Sequence, residues 1–499
     1  MNMFERVRKL FVVLILVTGV AGTIFVGKVY SPDVAVVPIA ESNSKFSMPS
    51  VVGDSFSSTW FCPGVLGRDV KVKSEIVVAN PTQTPITGTI TLLSSEEPAS
   101  SSTLIVAPFS RGVFDATGGR KSQYISAIIE LDSGRASVEQ RIIHLAGDSV
   151  ALCANETSDR WFFADGFTGA ESDFDILLTN PFPDSTVVDL SFVTTDGKRQ
   201  PALLKGIVLR GQSVTGISMG EQGARNEAVL AVSVRATSGR FVAGKLQHFL
   251  GRGRLGFTSA LGAPTTSRQW WFASGEKGAG VNEELVVFNP TEIDQSVSIA
   301  FLTGSAEALL REPLILTIPA GRVTTLSTSS LPAIANGRYG ILVSSVTDEF
   351  ISTNDASTNE SVVVEQVVSR TRENKTGTSV ILGAPSGSPS SIWISPSGLT
   401  VGEVGSIVVA NTTSLDTTVR VSTIGPAGAA PIVGLEQVEL KAASVISIAI
   451  PPSIAQLQIL IESETEIIVQ REFSRGHQLF GLSGVLALPY RSKQVTENK

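Results

Sequence analysis

Residues Thr59–Pro81 read TWFCPGVLGRDVKVKSEIVVANP. An aromatic pair opens the stretch, glycines follow, and a branched apolar run ends in Asn80-Pro81. The pattern recurs three times. Trp161-Phe162 leads to ILLTN at Asn180-Pro181, Trp271-Phe272 to LVVFN at Asn289-Pro290, and Trp393-Ile394 to IVVAN at Asn411-Thr412. Each Asn follows its Trp by 18 to 20 residues, and the tryptophans are 101, 110 and 122 residues apart. Trp270 reads as a mere neighbour of Trp271. Self-similarity at such a period decides architecture before anything else does.

The unit between repeats is rich in strands. In the first copy, alternating runs at Ile86–Leu93 and Thr103–Ala107 follow Asn80, and Tyr124–Leu131 passes through Asp132-Ser133-Gly134-Arg135 into Ala136–His144. That passage, Val232–Leu246 and Ile459–Gln470 are all predicted to be late hairpins. Seven or eight short strands with a turn every 8–12 residues predict an immunoglobulin-like sandwich. A four-bladed propeller needs only 40–50 residues per blade, so the period argues against it. The expected fold class is all-β, with four tandem immunoglobulin-like β-sandwich domains after a single N-terminal transmembrane helix. The expected boundaries are a cytoplasmic 1–9, a signal anchor 10–27, a spacer 28–57, sandwiches at 58–156, 157–264, 265–386 and 387–490, and a polar tail 491–499. Strung end to end, these make an extracytoplasmic rod.

Arg6, Arg8 and Lys9 precede an apolar run of 18 residues from Leu10 to Gly27. As a helix it spans roughly 27 Å, close to the hydrocarbon core. The flanking charges put the N-terminus in the cytoplasm and the bulk of the chain outside. The alternative is a cleaved signal peptide and a secreted protein. The only two cysteines, Cys62 and Cys153, bracket the first repeat, so in an exported chain they are expected to form a disulfide. The alternative is a pair of buried thiols. The formal charge of −7 is spread thinly with no basic stripe, which argues against nucleic acid.

Raw material for catalysis is scarce. The chain has three histidines, His144, His248 and His477. They fall at late-strand ends, the first two at one apparent station, and read as surface residues of separate domains that do not converge. Gly251-Arg252-Gly253-Arg254-Leu255-Gly256 matches a dinucleotide fingerprint literally. A short strand and a proline follow it where that site needs a helix, so it reads as a glycine-rich hairpin. Gly53-Asp54-Ser55 and Gly147-Asp148-Ser149 lack any esterase partner motif and read as turns. Glu139-Gln140 and Glu365-Gln366 recur, with Ala243-Gly244 and Gln470-Arg471 at the other copies. They read as cross-strand partners on an outer face. Trp60, Trp161, Trp271 and Trp393 are expected to fill the repeat cores, the alternative being sugar-stacking platforms. Repeat three carries a polar insertion, Thr347–Ser361. Its Thr347, Asp348, Glu349, Asn354, Asp355 and Asn359 form the candidate binding loop.

Trp-Phe, a glycine, a strand ending Asn-Pro and a Val-Glu-Gln late strand in tandem resemble a family of actinobacterial exported proteins, a domain of unknown function. The resemblance runs over roughly 58–490 and includes Trp60-Phe61-Cys62-Pro63. It implies an envelope location and an immunoglobulin-like fold, and it supplies no catalytic residues. The expected function is a non-catalytic, membrane-anchored scaffold or adhesion protein of the bacterial envelope, with a protein or glycan partner and no cofactor or metal. The alternative is a glycan-binding accessory in envelope polysaccharide assembly.

Overall fold

The computed structural model describes residues 48–69, 71–304, 313–332, 334–346, 361–396, 405–454, 457–475 and 479–491. The expected N-terminal helix, the candidate binding loop Thr347–Asn359 and His477 lie outside them. Among the described residues there are thirty-six strands and no α-helix, and no helix long and apolar enough to cross a membrane. The strands form seven sheets, consistent with β-sandwich repeats.

Each repeat uses its strands in the same way. In repeat one, the Trp strand Ser58–Leu66 shares a sheet with Tyr124–Leu131, Ile86–Ser94 and Ser100–Val106. The Asn strand Val72–Ala79 lies in a second sheet, between Arg111–Asp115 and Ser137–His144, with Ser149–Leu152 outermost. The passages predicted to be hairpins are not hairpins. Tyr124–Leu131 and Ser137–His144 lie in different sheets, as do Ala231–Ser238 and Val242–Gly251. The turn at Ser133-Gly134 carries the chain from one layer to the other. In repeat four, Ser463-Glu464-Thr465-Glu466 contains no Gly, Asn or Pro to break the strand. Gln458–Ser474 therefore runs unbroken for 17 residues and fuses the two layers into one ten-stranded sheet.

The Asn that ends each second strand is fully buried in all four copies. Its Nδ2 donates to the carbonyl four residues on: Thr84, Asp184, Ile293 and Leu415 respectively. A second bond from the same amide crosses to Val106, Leu209, Ile318 or Lys441. Its Oδ1 accepts the backbone N–H two residues on. One amide thus closes an Asx turn and pins it to the neighbouring strand.

Ladder register identifies the equivalent tryptophans. Phe61, Phe162 and Trp271 pair with Ala154, Ala263 and Ala384 at the closing strands, and Trp393 with Ile394 meets Pro489 and Leu488. Trp271 therefore occupies the Phe position, and Trp270 is the core tryptophan of repeat three. The indole bonds agree: Nε1 of Trp161, Trp270 and Trp393 donates to Phe241 O, Val362 O and Ile467 O. Trp270 packs with Leu285, Val287 and Ile341, whereas Trp271 joins the cluster that holds Trp393 and Ile394. The Trp271 Nε1 has no hydrogen-bond partner among the described residues.

The repeats do not form a rod. Residues 46–499 make one compact unit, and it closes on itself. The four last strands of the Asn sheets, Ser149–Leu152, Arg254–Leu261, Lys375–Leu382 and Leu482–Leu486, pack in cyclic succession. Val51 and Val52, expected in a spacer, pair in parallel with Tyr490 and Arg491. Gln458 Nε2 reaches from repeat four to the Asn80 carbonyl of repeat one at 3.0 Å. Arg475 stands where all four repeats meet. It donates to Ser483 Oγ and the Phe257 carbonyl, and its own carbonyl accepts from Asp148 N. A Cβ on Gly147, Gly256 or Gly377 would come within 2.9, 2.8 or 3.2 Å of its side chain. Burial, opposed by Asp148, lowers the Arg475 guanidinium to about 10.

Candidate functional site

Closure brings late strands of adjacent repeats together, and this explains the alternating carboxylates. Opposite the residue three before the Asn of each repeat stand Glu139, Gly244, Glu365 and Gln470. The next residues are Gln140, Lys245, Gln366 and Arg471. The true counterpart of Glu139-Gln140 in repeat two is thus Gly244-Lys245. These side chains do not lie on an outer face. Lys245 Nζ meets both oxygens of Glu365 at 2.8 Å and also donates to the Asp165 carbonyl, and both partners are buried. Arg471 pairs likewise with buried Glu139. A cation from repeats two and four meets a carboxylate from repeats three and one. A copy in every repeat would instead put like charges together. Beside Lys245, Arg254 of the Gly251–Gly256 motif bridges Asp165 and Glu284 at 3.0 and 2.7 Å. The motif is a hairpin turn, with Arg252 and Gly253 at positive φ.

Between repeats one and two the same closure leaves a cleft of about 600 Å³, the size of a small-molecule site. His144 and His248 both line it, with ring centroids 5.3 Å apart. The expectation that they stay apart at the surface fails, because the ends of neighbouring late strands meet in the closed arrangement. Their stations also differ by one residue, His144 lying opposite Val72 and His248 opposite Asp173. His144 is 7% exposed. Its Nδ1 accepts the Ala146 N–H, so Nε2 carries the proton in the neutral ring. That Nε2 has no hydrogen bond among the described residues, and Asp69 Oδ2 stands 3.8 Å away.

Leucines, isoleucines and Phe257 make up much of the remaining lining, and its charged residues are acidic. Asp69, Asp173, Asp175 and Glu221 face the cleft, with no arginine or lysine among the described lining residues. Tyr124 Oη donates to Asp175 Oδ2 at 3.4 Å across the repeat boundary. Burial pushes the Asp175 carboxyl up to about 6, and Asp173 adds to the rise. Burial, then Asp175, raises the Tyr124 phenol. Burial lowers both imidazoles, and His144 is lowered further by His248. Among the described residues no three His, Cys, Asp or Glu side chains are placed to hold a metal ion. The arrangement suits recognition of polar, hydrogen-bonding groups. Sequence reading missed the cleft, its one signal being two histidines at late-strand ends.

Cys62 and Cys153 form a disulfide across a separation of 91 residues, adjoining the Phe61–Ala154 bridge that closes repeat one.

The fold defines a class of all-β proteins built from repeated sheet pairs. Within that class, a profile described as a family of unknown function, DUF5719, matches residues 133–398, and the chain belongs to that family. No curated protein matches it. Among solved structures, a Thermotoga maritima protein, 1070, is 16% identical over 24% of this chain and 95% of its own, with a TM-score of 0.19. A tetra-tandem repeat from the extending region of a large adhesion protein is 11% identical over 82% and 92%, at 0.11. A Streptomyces avermitilis α-L-rhamnosidase bound to L-rhamnose is 8% identical over 80% and 55%, at 0.13. Scores this low carry no argument about fold or activity.

Proposed function

We propose that this chain is a non-catalytic binding scaffold of the bacterial cell envelope. Four immunoglobulin-like units lock into one rigid body held outside the membrane by the N-terminal segment. The observation that carries the binding reading is the cleft between repeats one and two, a concave polar site on a frame braced by buried ion pairs. The disulfide supports the compartment, since such bonds persist where the environment is oxidising. The polar lining also favours the second reading, a glycan-binding accessory in envelope polysaccharide assembly.

The test is crosslinking in intact cells, with chains carrying Glu221→Gln in the cleft or lacking 347–361. Envelope partners recovered with the intact chain and lost with Glu221→Gln support the reading. Partners lost only with the loop deletion would move the site to repeat three. Free thiols at Cys62 and Cys153 in rapidly alkylated cells would refute the compartment.

A further inference from the structure

Three of the four repeat boundaries are crossed by the chain itself. Ala154, Ala263 and Ala384 each pair with the Trp strand of their own repeat, and the backbone then runs on into the next Trp strand at Arg160, Gln269 and Ser390. Leu488 holds the same station in repeat four, but its neighbour in the ring is repeat one, at the other end of the chain. Contacts between side chains and backbone close that boundary. Gln458 Nε2 donates to the Asn80 and Ser110 carbonyls at 3.0 and 3.1 Å, Arg471 pairs with buried Glu139, and Ser483 Oγ donates to the Asp148 carbonyl at 2.6 Å.

Residues 48–57 lie across the same boundary. Val51 and Val52 extend the sheet of repeat four, pairing in parallel with Tyr490 and Arg491, and Gly53 N donates to the Arg491 carbonyl at 2.9 Å. Toward repeat one, Arg135 Nε and Gly134 N donate to the Gly53 and Ser55 carbonyls at 3.1 and 2.9 Å, and Asn155 Nδ2 donates to the Ser50 carbonyl at 2.7 Å. Met48 and Val51 are buried. Gly53 has no room for a side chain, since a Cβ there would stand 1.9 Å from Tyr490 Oη. One short strap thus grips both sides of the boundary that the chain does not cross.

We propose that residues 48–57 are a clasp that holds the ring of repeats shut, and that tension on the chain preceding it opens the ring at this boundary. A pull from the N-terminal side reaches Val51 and Val52 before it reaches any repeat. Two ladder pairs and the Gly53 bond hold the strap to repeat four, whereas seven pairs hold the Trp strand of repeat one to Tyr124–Leu131. The strap therefore yields first. Its release frees the seam between repeats four and one and leaves the other three boundaries tied by the backbone. The clasp is a property of the fold; that tension acts on it in the cell rests on the anchored reading above.

The experiment is hydrogen–deuterium exchange on the full chain, resolved by peptide, for Val51→Asp and Gly53→Ala. Val51→Asp sets a charge where the strap is buried, and Gly53→Ala drives a methyl group against Tyr490. In both, exchange around Asn80, Ser110, Glu139 and Gln458 is expected to rise about tenfold or more, the equivalent of one buried valine or one overpacked contact. Peptides around Thr179, Glu365 and Arg338, at the other three boundaries, are expected to stay unchanged. Gly53→Ala keeps every buried apolar side chain and decides the matter should Val51→Asp fail to fold. Handles at the two ends of the chain then apply force. The first event is expected to lengthen the chain by far less than the roughly 350 Å that unfolding a repeat of about one hundred residues releases, and to be missing in Val51→Asp. Unchanged exchange at the seam, or an equal rise at all four boundaries, overturns the clasp. A first event of full repeat length overturns the release by tension. Clasp opening in both measurements, by a chain that captures no envelope partner, upholds the clasp and overturns only the binding reading.

Discussion

Lys245→Met tests whether the repeats are locked by buried ion pairs. Lys245 Nζ serves three acceptors at 2.8 Å: both Glu365 oxygens and the Asp165 carbonyl. Glu365 is wholly buried, and burial, opposed by Lys245, already holds its carboxyl above the ordinary range. Removing the ammonium strands that carboxyl beside Asp165, so the single substitution is expected to cost about 3–5 kcal/mol. Against a net stability of roughly 5–15 kcal/mol, that is a large share. Lys245→Met/Glu365→Met removes both charges and leaves apolar volume, so its cost is expected to fall at least about 2 kcal/mol short of the sum of the single changes. Urea unfolding followed by tryptophan fluorescence measures this, comparing midpoints at unchanged slope. A single-mutant cost below about 1 kcal/mol, or strict additivity in the double mutant, would refute the ion-pair lock.

Other outcomes follow from the same structure. Trp270→Phe is expected to destabilise more than Trp271→Phe, because only the Trp270 indole has a bonded Nε1; thermal melts rank the two. Glu283 is buried among Tyr339 and Thr328, and burial raises its carboxyl to about 7 from 4.5. The folded state therefore holds a proton the unfolded chain has lost, and stability falls as pH climbs from 4.5 through 7, by up to about 3 kcal/mol. Glu283→Gln is expected to flatten that slope in melts taken between pH 4 and 8, and an unchanged slope would count against the assignment. Reduction of Cys62–Cys153 frees a loop of 91 residues and is expected to cost about 4–5 kcal/mol in the chain-entropy model, read as a lower melting temperature with reductant present.

The sequence by itself determined what local chemistry determines. Branched and aromatic runs made the strands, and the recurring Trp and Asn marked the repeats. The two cysteines at the ends of repeat one met, as a closed sheet pair requires. The Asn also had a reason that sequence could not state, since its amide bonds to carbonyls on a strand roughly thirty residues away. Only the tertiary structure decided which tryptophan of Trp270 and Trp271 belongs to the core, because adjacent strand residues point to opposite faces and a one-residue shift swaps them. It also decided that the repeats close on one another instead of extending, since closure depends on surfaces from both ends of the chain. From closure came the rest: Glu139 and Glu365 buried against cations of the neighbouring repeat, and His144 and His248 brought to 5.3 Å in one cleft. Those partners lie about one hundred residues or more apart, and no periodicity along the chain encodes which of them face each other.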